Sequence, residues 1–379
     1  MGVAKVTGDP RVLELESRVS ASRSVYRFRT TDGVHSKRSF RTAELLLLDA
    51  LWDSALGDCC CLEATYGVVG CVLAGRVRSV RMTESSARAA RLCERNASAN
   101  GVEAVTTLTA DPRTLDERFD AVTYAPKPYT PLSMGRQRIA NGLAVLRPGG
   151  SFSLAAAKHT GLTRYEACLR DLAASVERVA ERDEFVVLRA TRPPTFDPPP
   201  FVSPRTTRTM VDDTELSLVT LPGVFSAAGL DDGTRLLLET TTVEDGDRVL
   251  DLCCGSGAIG TYAARVADCD VRLTDDDCVA TCCAERTLAA SGVTGSVVTA
   301  DCTDGVAGPF DRVLCNPPTH AGWGVLTDLF AGAREVLAPG GAFVLVHHRD
   351  LDLRAHLSGF ETVEILRTSE EHVVLRASR

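Results

Sequence analysis

Short apolar runs rich in Val and Leu alternate along the chain with longer Ala-, Arg- and Glu-rich stretches. Runs such as Arg248-Val249-Leu250-Asp251-Leu252 and Arg312-Val313-Leu314-Cys315 read as strands buried in a sheet, and the longer stretches read as helices. That alternation predicts a doubly wound α/β unit, a parallel sheet covered on both faces. The pattern occurs twice. Val80 to Val102 aligns without a gap on Val271 to Val293, with 9 identities in 23 positions. The same spacing, within one residue, lays Gly33-Val34-His35-Ser36 on Gly223-Val224-Phe225-Ser226, and Thr109-Ala110-Asp111 on Thr299-Ala300-Asp301. It also lays Leu146 to Gly150 on Leu337 to Gly341, and the ends correspond at a spacing four residues shorter, with Val186 to Arg192 echoed by Val373 to Arg379. So many matches in one order predict two tandem Rossmann-like domains that arose by duplication. Six of the 17 prolines fall between Pro193 and Pro204, a stretch unsuited to helix or central strand. The expected domains are therefore 1–192 and 205–379, joined by a linker at 193–204.

Composition narrows this picture. At 379 residues and 44% hydrophobic content, the chain can build two cores. No apolar run approaches the roughly 20 residues of a membrane-spanning helix, and nothing resembles a signal peptide. A soluble, cytoplasmic protein is expected, with no membrane partner and a monomer favoured. The 14 cysteines cluster at Cys59-Cys60-Cys61, Cys253-Cys254 and Cys282-Cys283 without zinc-site spacing, so reduced core thiols and no metal are expected. The net charge of −8 is unevenly divided: residues 1–192 hold 28 Lys+Arg against 22 Asp+Glu, whereas 193–379 hold 14 against 28. A basic half beside an acidic one fits an RNA-holding domain joined to a domain for a cationic cofactor.

The second half carries the chemistry. The strand at 248–252 runs into Cys253-Cys254-Gly255-Ser256-Gly257-Ala258-Ile259-Gly260 and then an Ala-rich segment. Glycines at such a turn let a cofactor approach the backbone, and free amides at the helix start face it. A second strand, Val271 to Thr274, ends at Asp275, where a carboxylate can accept from ribose hydroxyls. These features specify a nucleoside cofactor. The strand at 312–315 delivers Asn316-Pro317-Pro318-Thr319-His320. There the Asn316 side-chain oxygen and the Pro317 carbonyl can accept from a planar exocyclic amine, while the prolines hold the loop rigid.

With these elements the chain resembles the ribosomal RNA small subunit methyltransferase C family, S-adenosylmethionine-dependent enzymes that methylate guanine N2, with the large-subunit methyltransferase G type as a near neighbour. The likeness rests on Thr220 to Ser226, Gly229 to Asp231, Gly233, Leu236 to Leu238, the glycine loop, Asp275 and Asn316-Pro317-Pro318 with His320. It implies S-adenosylmethionine contacts from Phe225, Asp251, Cys253, Gly255, Gly257, Asp275, Asp276, Asp301, Cys302 and Asn316. It further implies a catalytic loop of Asn316, Pro317, Pro318 and His320. Thr319 stands where the family commonly has an aromatic residue, and Trp323, four residues on, is the candidate to replace it in stacking on the target base.

In the first half, Asp251, Gly255 and Asn316-Pro317-Pro318 become Cys61, Thr65 and Ala125-Pro126-Lys127. That copy is expected to be catalytically silent and to contact RNA phosphates through Arg23, Arg27 and Arg29, with Lys37, Arg38 and Arg41 as further candidates. The expected partner is ribosomal RNA or a ribosomal subunit or assembly particle. Methylation of another amine, on a transfer RNA base or a protein glutamine, and a non-catalytic role in ribosome assembly are the alternatives.

Overall fold

The computed structural model describes residues 4–6, 11–17 and 23–379, and the chain divides into two compact units, Met1–Val202 and Ser203–Arg379. In the second unit a seven-stranded sheet runs in the order Ser296–Thr299, Asp270–Asp275, Arg248–Leu252, Phe310–Cys315, Leu337–His348, His372–Ser378, Thr362–Thr368. The first five strands pair in parallel. His372–Ser378 runs against both its neighbours. The chain builds outward from Arg248–Leu252 in one direction and then returns to build the other side, so the switch point falls between that strand and Phe310–Cys315. Ligands of open α/β sheets bind at the carboxyl ends of the strands at such a point.

The first unit repeats this order with Val105–Leu108, Ser79–Glu84, Asp58–Leu62, Phe119–Tyr124, Leu146–Ala157, Phe185–Thr191 and Ser175–Arg182. The likeness extends to single dihedrals, since Gly149 and Gly340 in the two Pro-Gly-Gly turns both have φ 78°. Residues alternate between the two faces of the second sheet. Leu250, Leu252, Val313 and Cys315 join one buried cluster, and Val249 and Leu314 join the other. A two-stranded antiparallel ribbon, Arg205–Val211 with Thr214–Thr220, precedes the second sheet. A three-stranded one, Ala4–Val6, Val12–Glu16 and Val25–Arg29, precedes the first.

Two sequence expectations shift. Thr109 N bonds to Glu84 O as Ala300 N bonds to Asp275 O, so Ala110, not Asp111, occupies the place of Asp301. The Pro-rich stretch contains no helix or strand, yet residues 193–202 belong to the first unit. Phe201 lies 4.4 Å beneath the Arg136 guanidinium, and Gln137 Oε1 accepts from Phe201 N at 2.6 Å. All 14 cysteines are free thiols. No helix among the described residues is long and apolar enough to cross a membrane.

Candidate active site

The strand at 248–252 ends in a loop whose Cys253, Gly255 and Gly257 have φ of 63°, 53° and 83°, and helix Ala258–Val266 follows. The glycines divide the work differently from the sequence expectation. A Cβ on Gly257 would lie 2.9 Å from Ala284, and one on Gly260 2.7 Å from Leu273, so both serve helix packing. A Cβ on Gly255 would meet only Phe225, at 4.0 Å, so this glycine faces open space. Asp251 is fully buried and accepts from Gly260 N at 2.7 Å. It braces the turn from beneath rather than lying at the cleft surface, and burial pushes its carboxyl up to about 7.

Asp275 stands against the glycine loop at the end of strand Asp270–Asp275. Its oxygens accept from Gly255 N at 2.9 Å and Asp277 N at 3.0 Å. Burial raises its pKa to about 7 against those two backbone bonds. A carboxylate oxygen accepts more than one hydrogen bond, so both retain capacity for hydroxyl donors. Asp276 is half-buried beside it, Asp301 is buried at the end of the third strand, and Cys302 follows with φ 55°. Phe225, 57% exposed, reaches over Gly255. Together with Asn316 and the glycine loop it lines a cleft of about 390 Å³.

Asn316 is fixed by a contact that sequence reasoning missed. Its Nδ2 donates to Asp231 Oδ2 at 3.0 Å and to Thr234 Oγ1 at 2.9 Å. Asp231 is the N-cap of helix Asp232–Leu238 and also accepts from Thr234 N. With its NH2 end tied to that helix, the side chain presents its carbonyl oxygen at the other end as the acceptor. The available signal was a Gly-Leu-Asp-Asp-Gly-Thr run before an apolar segment, a helix-start signature. The Pro317 carbonyl already accepts from Thr319 N at 2.9 Å, which leaves it one lone pair. Pro318 is half-buried, and Thr319 and His320 lie on the following single turn, with His320 exposed. Trp323, 58% exposed, opens helix Trp323–Val336 and stacks on His356 at 5.0 Å, with the rings 9° from parallel.

At the matching places in the first unit the groups are different and engaged with each other. Glu63 and Thr65 keep the left-handed φ of Cys253 and Gly255, at 49° and 63°, so the loop shape survives. Glu84 accepts from Thr65 N as Asp275 does from Gly255 N. Lys127 lies 3.3 Å from Glu84, however, and Arg138 lies 2.7 Å from Glu63. Although burial alone would lower Lys127, Glu84 and Glu63 raise its pKa and keep it charged. Arg41, at the position of Asp231, donates to the carbonyls of Ala125 and Pro126 at 2.9 and 2.6 Å. Buried in this way, Arg41 is not the phosphate contact expected from sequence. Arg27 and Arg29 alternate with buried Tyr26 and Phe28 on strand Val25–Arg29 and are exposed, as is Arg23. Arg27 pairs with Glu14 at 2.8 Å.

Comparison with known proteins agrees with this geometry. A ribosomal RNA small subunit methyltransferase C of Pseudomonas entomophila is 37% identical over 177 residues, 45% of this chain and 53% of the relative. Its Mannheimia succiniciproducens namesake is 41% identical over 139 residues, 35% of this chain and 41% of the relative. The chain thus spans about half the length of the curated relatives it matches. The solved structure of the T. thermophilus 16S rRNA N2 G1207 methyltransferase, in complex with AdoMet and guanosine, superposes with a TM-score of 0.78 at 25% identity, covering 93% of this chain and 95% of that one. The sequence profile of the methyltransferase small domain matches residues 25–189 and again 215–376, and the chain belongs to that family.

Proposed function

We propose that the second unit transfers a methyl group from S-adenosylmethionine to the exocyclic N2 amine of a guanine in ribosomal RNA of the small subunit, in the cytoplasm. The observation that carries this reading is the anchoring of Asn316 by Asp231 and Thr234 at the mouth of the glycine-loop cleft. The cofactor fits the residues present. Gly255 leaves room for its approach, Asp275 offers a carboxylate to ribose hydroxyls, and Asp301 at the third strand end offers one to an adenine amino group. When bound, it supplies an electrophilic methyl group.

The chain's own residues then orient the other reactant. Asn316 Oδ1 and the remaining lone pair of Pro317 O accept the two amine hydrogens, which turns the nitrogen lone pair toward the methyl. The same acceptors hold the amine as its nitrogen becomes cationic. Pro317 and Pro318 keep the loop rigid, His320 flanks it, and Trp323 offers a ring for base stacking in place of Thr319. The names and substrates of the similar proteins support ribosomal RNA over a transfer RNA base or a protein glutamine.

The test is to incubate the full chain with ribosomal RNA or small subunits lacking N2-methylguanosine and to assay nucleosides by mass spectrometry. New N2-methylguanosine is expected. The Asn316→Ala variant should lose on the order of a hundredfold or more in rate at unchanged cofactor affinity. Full turnover by that variant would overturn the assignment of the loop.

A further inference from the structure

The first unit has kept one half of a methyltransferase site and closed the other. Its cofactor side is a space of about 260 Å³ lined by Glu63, Glu84 and Arg138, with the ion pairs described above. Its other side is a larger cleft of about 710 Å³. Five positions of the Phe225 loop line the cleft in the second unit: Phe225, Ser226, Gly229, Leu230 and Asp231. Their counterparts His35, Ser36, Ser39, Phe40 and Arg41 line this one. Pro126 and Pro128, from the remnant of the Asn-Pro-Pro loop, form a further wall, and no residue of the degenerate glycine loop takes part.

We propose that this cleft holds a single unstacked base of the RNA strand, as a binding pocket without chemistry. The inference rests on RNA being the substrate. The half-buried His35 ring stands where Phe225 stands in the duplicate, and Tyr129, 67% exposed, meets it edge-on at 5.6 Å and 77°. Burial, with help from the Arg41 and Lys127 cations, lowers His35 to about 4. The imidazole is therefore neutral at pH 7 and offers a stacking face rather than a charge. Sequence-tolerant recognition of single strands uses such rings beside a basic track. Such a track is present: Arg27 and Arg29 are exposed on the strand that leads directly into the His35 loop. Residues 1–192 carry the chain's excess of positive charge. Ala125 has no side-chain oxygen to match that of Asn316, and Arg41 occupies the Pro126 carbonyl, so the pocket should not select guanine.

A fluorescein-labelled oligouridylate decamer tests this on the full chain, because a probe without guanine keeps the reaction of the second unit out of the measurement. The wild type should bind it. His35→Ala should weaken binding about ten- to hundredfold, the range of one lost base stack. His35→Phe should restore it, and Tyr129→Ala should weaken it as well. Affinity for S-adenosylhomocysteine should be unchanged in all three, which shows an intact second unit, and an unchanged circular dichroism spectrum and melting temperature show that the first unit is folded. A decamer carrying 4-thiouridine should photocrosslink to peptides containing residues 35–40 or 126–129. Absence of binding by the wild type, equal binding by wild type and His35→Ala, or crosslinks confined elsewhere would overturn the proposal. None of these outcomes depends on whether guanine is methylated.

Discussion

At the scale of single residues, the site depends on two carboxylates that do not themselves react. Asp231 Oδ2 receives Thr234 N, Thr234 Oγ1 and Asn316 Nδ2 on one oxygen. Replacing Asp231 by Asn can keep all three, because the amide still carries an oxygen and caps a helix equally well. Asp231→Ala removes the anchor. It should lower kcat by roughly ten- to a hundredfold, the cost of a misplaced reacting geometry, with cofactor affinity unchanged. Steady-state kinetics of the two variants distinguishes lost positioning from a general loss of fold, since Asp231→Asn should remain active. Asp275, the raised carboxyl that faces the ribose in the proposed function, is expected to set the pH dependence of cofactor binding. Its folded pKa of about 7 lies above the ordinary carboxylate value of about 4. The native state therefore holds a proton that the unfolded chain releases between those values, and the stability contributed by this group declines as pH rises from about 4 to 7. Hydroxyl donors from a ribose favour the ionised form. Cofactor binding should then release a proton near pH 6 to 7, and affinity should fall as pH drops below 7, by up to about tenfold per unit. Calorimetry with S-adenosylhomocysteine in buffers of different ionisation enthalpy reads that proton directly. A pH-independent affinity between 5 and 8 would remove Asp275 from the ribose site.

At the scale of elements, the same strand-loop-helix unit appears once open and once filled. The Glu63 to Gly67 turn has the left-handed residues of the Cys253 to Gly257 turn, although side chains there cost roughly 1 to 2 kcal/mol relative to glycine. Retention of that shape keeps the sheet and helix together. Lys127 and Arg138, paired with Glu84 and Glu63, take the polar positions a cofactor would use. Removing one partner of such a buried pair would leave an uncompensated charge, so the first unit should not open to take a ligand there. Titration with S-adenosylhomocysteine should show one site per chain, and two equivalent sites would contradict the closed first unit. Much of this was legible in the sequence. The duplication, the strand at 248–252, the glycine loop and Asn-Pro-Pro are local patterns, and the internal repeat compares each with its twin. What was not legible depends on partners distant in sequence. Asp231 meets Asn316 across 85 residues, and Arg41 meets Pro126 O across the same distance. The Arg-rich segment looked uniform, yet the alternation of strand Val25–Arg29 exposes Arg27 and Arg29 while the turn beyond buries Arg41. The reversed direction of the sixth strand, His372–Ser378, was not legible, because an apolar run has the same pattern in either direction, and the seventh, Thr362–Thr368, is exposed along its whole length and carries no core signal.

At the scale of the whole molecule, charge is distributed by unit. Residues 193–379 carry twice as many acidic as basic groups, 28 against 14, which suits a cationic cofactor but repels a polyanion. Under the proposed function, RNA is therefore held chiefly by the basic first unit. The exposed guanidiniums of Arg27 and Arg29 stand in period two on one strand, and that strand is clipped at both residues: Asn100 Oδ1 accepts from Arg27 N at 2.9 Å, and Asn96 Oδ1 accepts from Arg29 N at 2.8 Å. Rigid presentation on a strand lowers the entropy lost when each arginine meets a phosphate. Each phosphate contact on a single strand contributes about 0.7 to the slope of log affinity against log salt concentration. Exchanging Arg23, Arg27 and Arg29 together for Ser should therefore flatten that slope by about 2 for ribosomal RNA and weaken binding at low salt. Affinity for S-adenosylhomocysteine should stay at the wild-type value, because these residues lie in the other unit from the glycine loop. Filter binding from 50 to 300 mM KCl provides the measurement. An unchanged slope would show that the phosphates are met elsewhere, and that the positive charge of the first unit is a solvated surface rather than an RNA track.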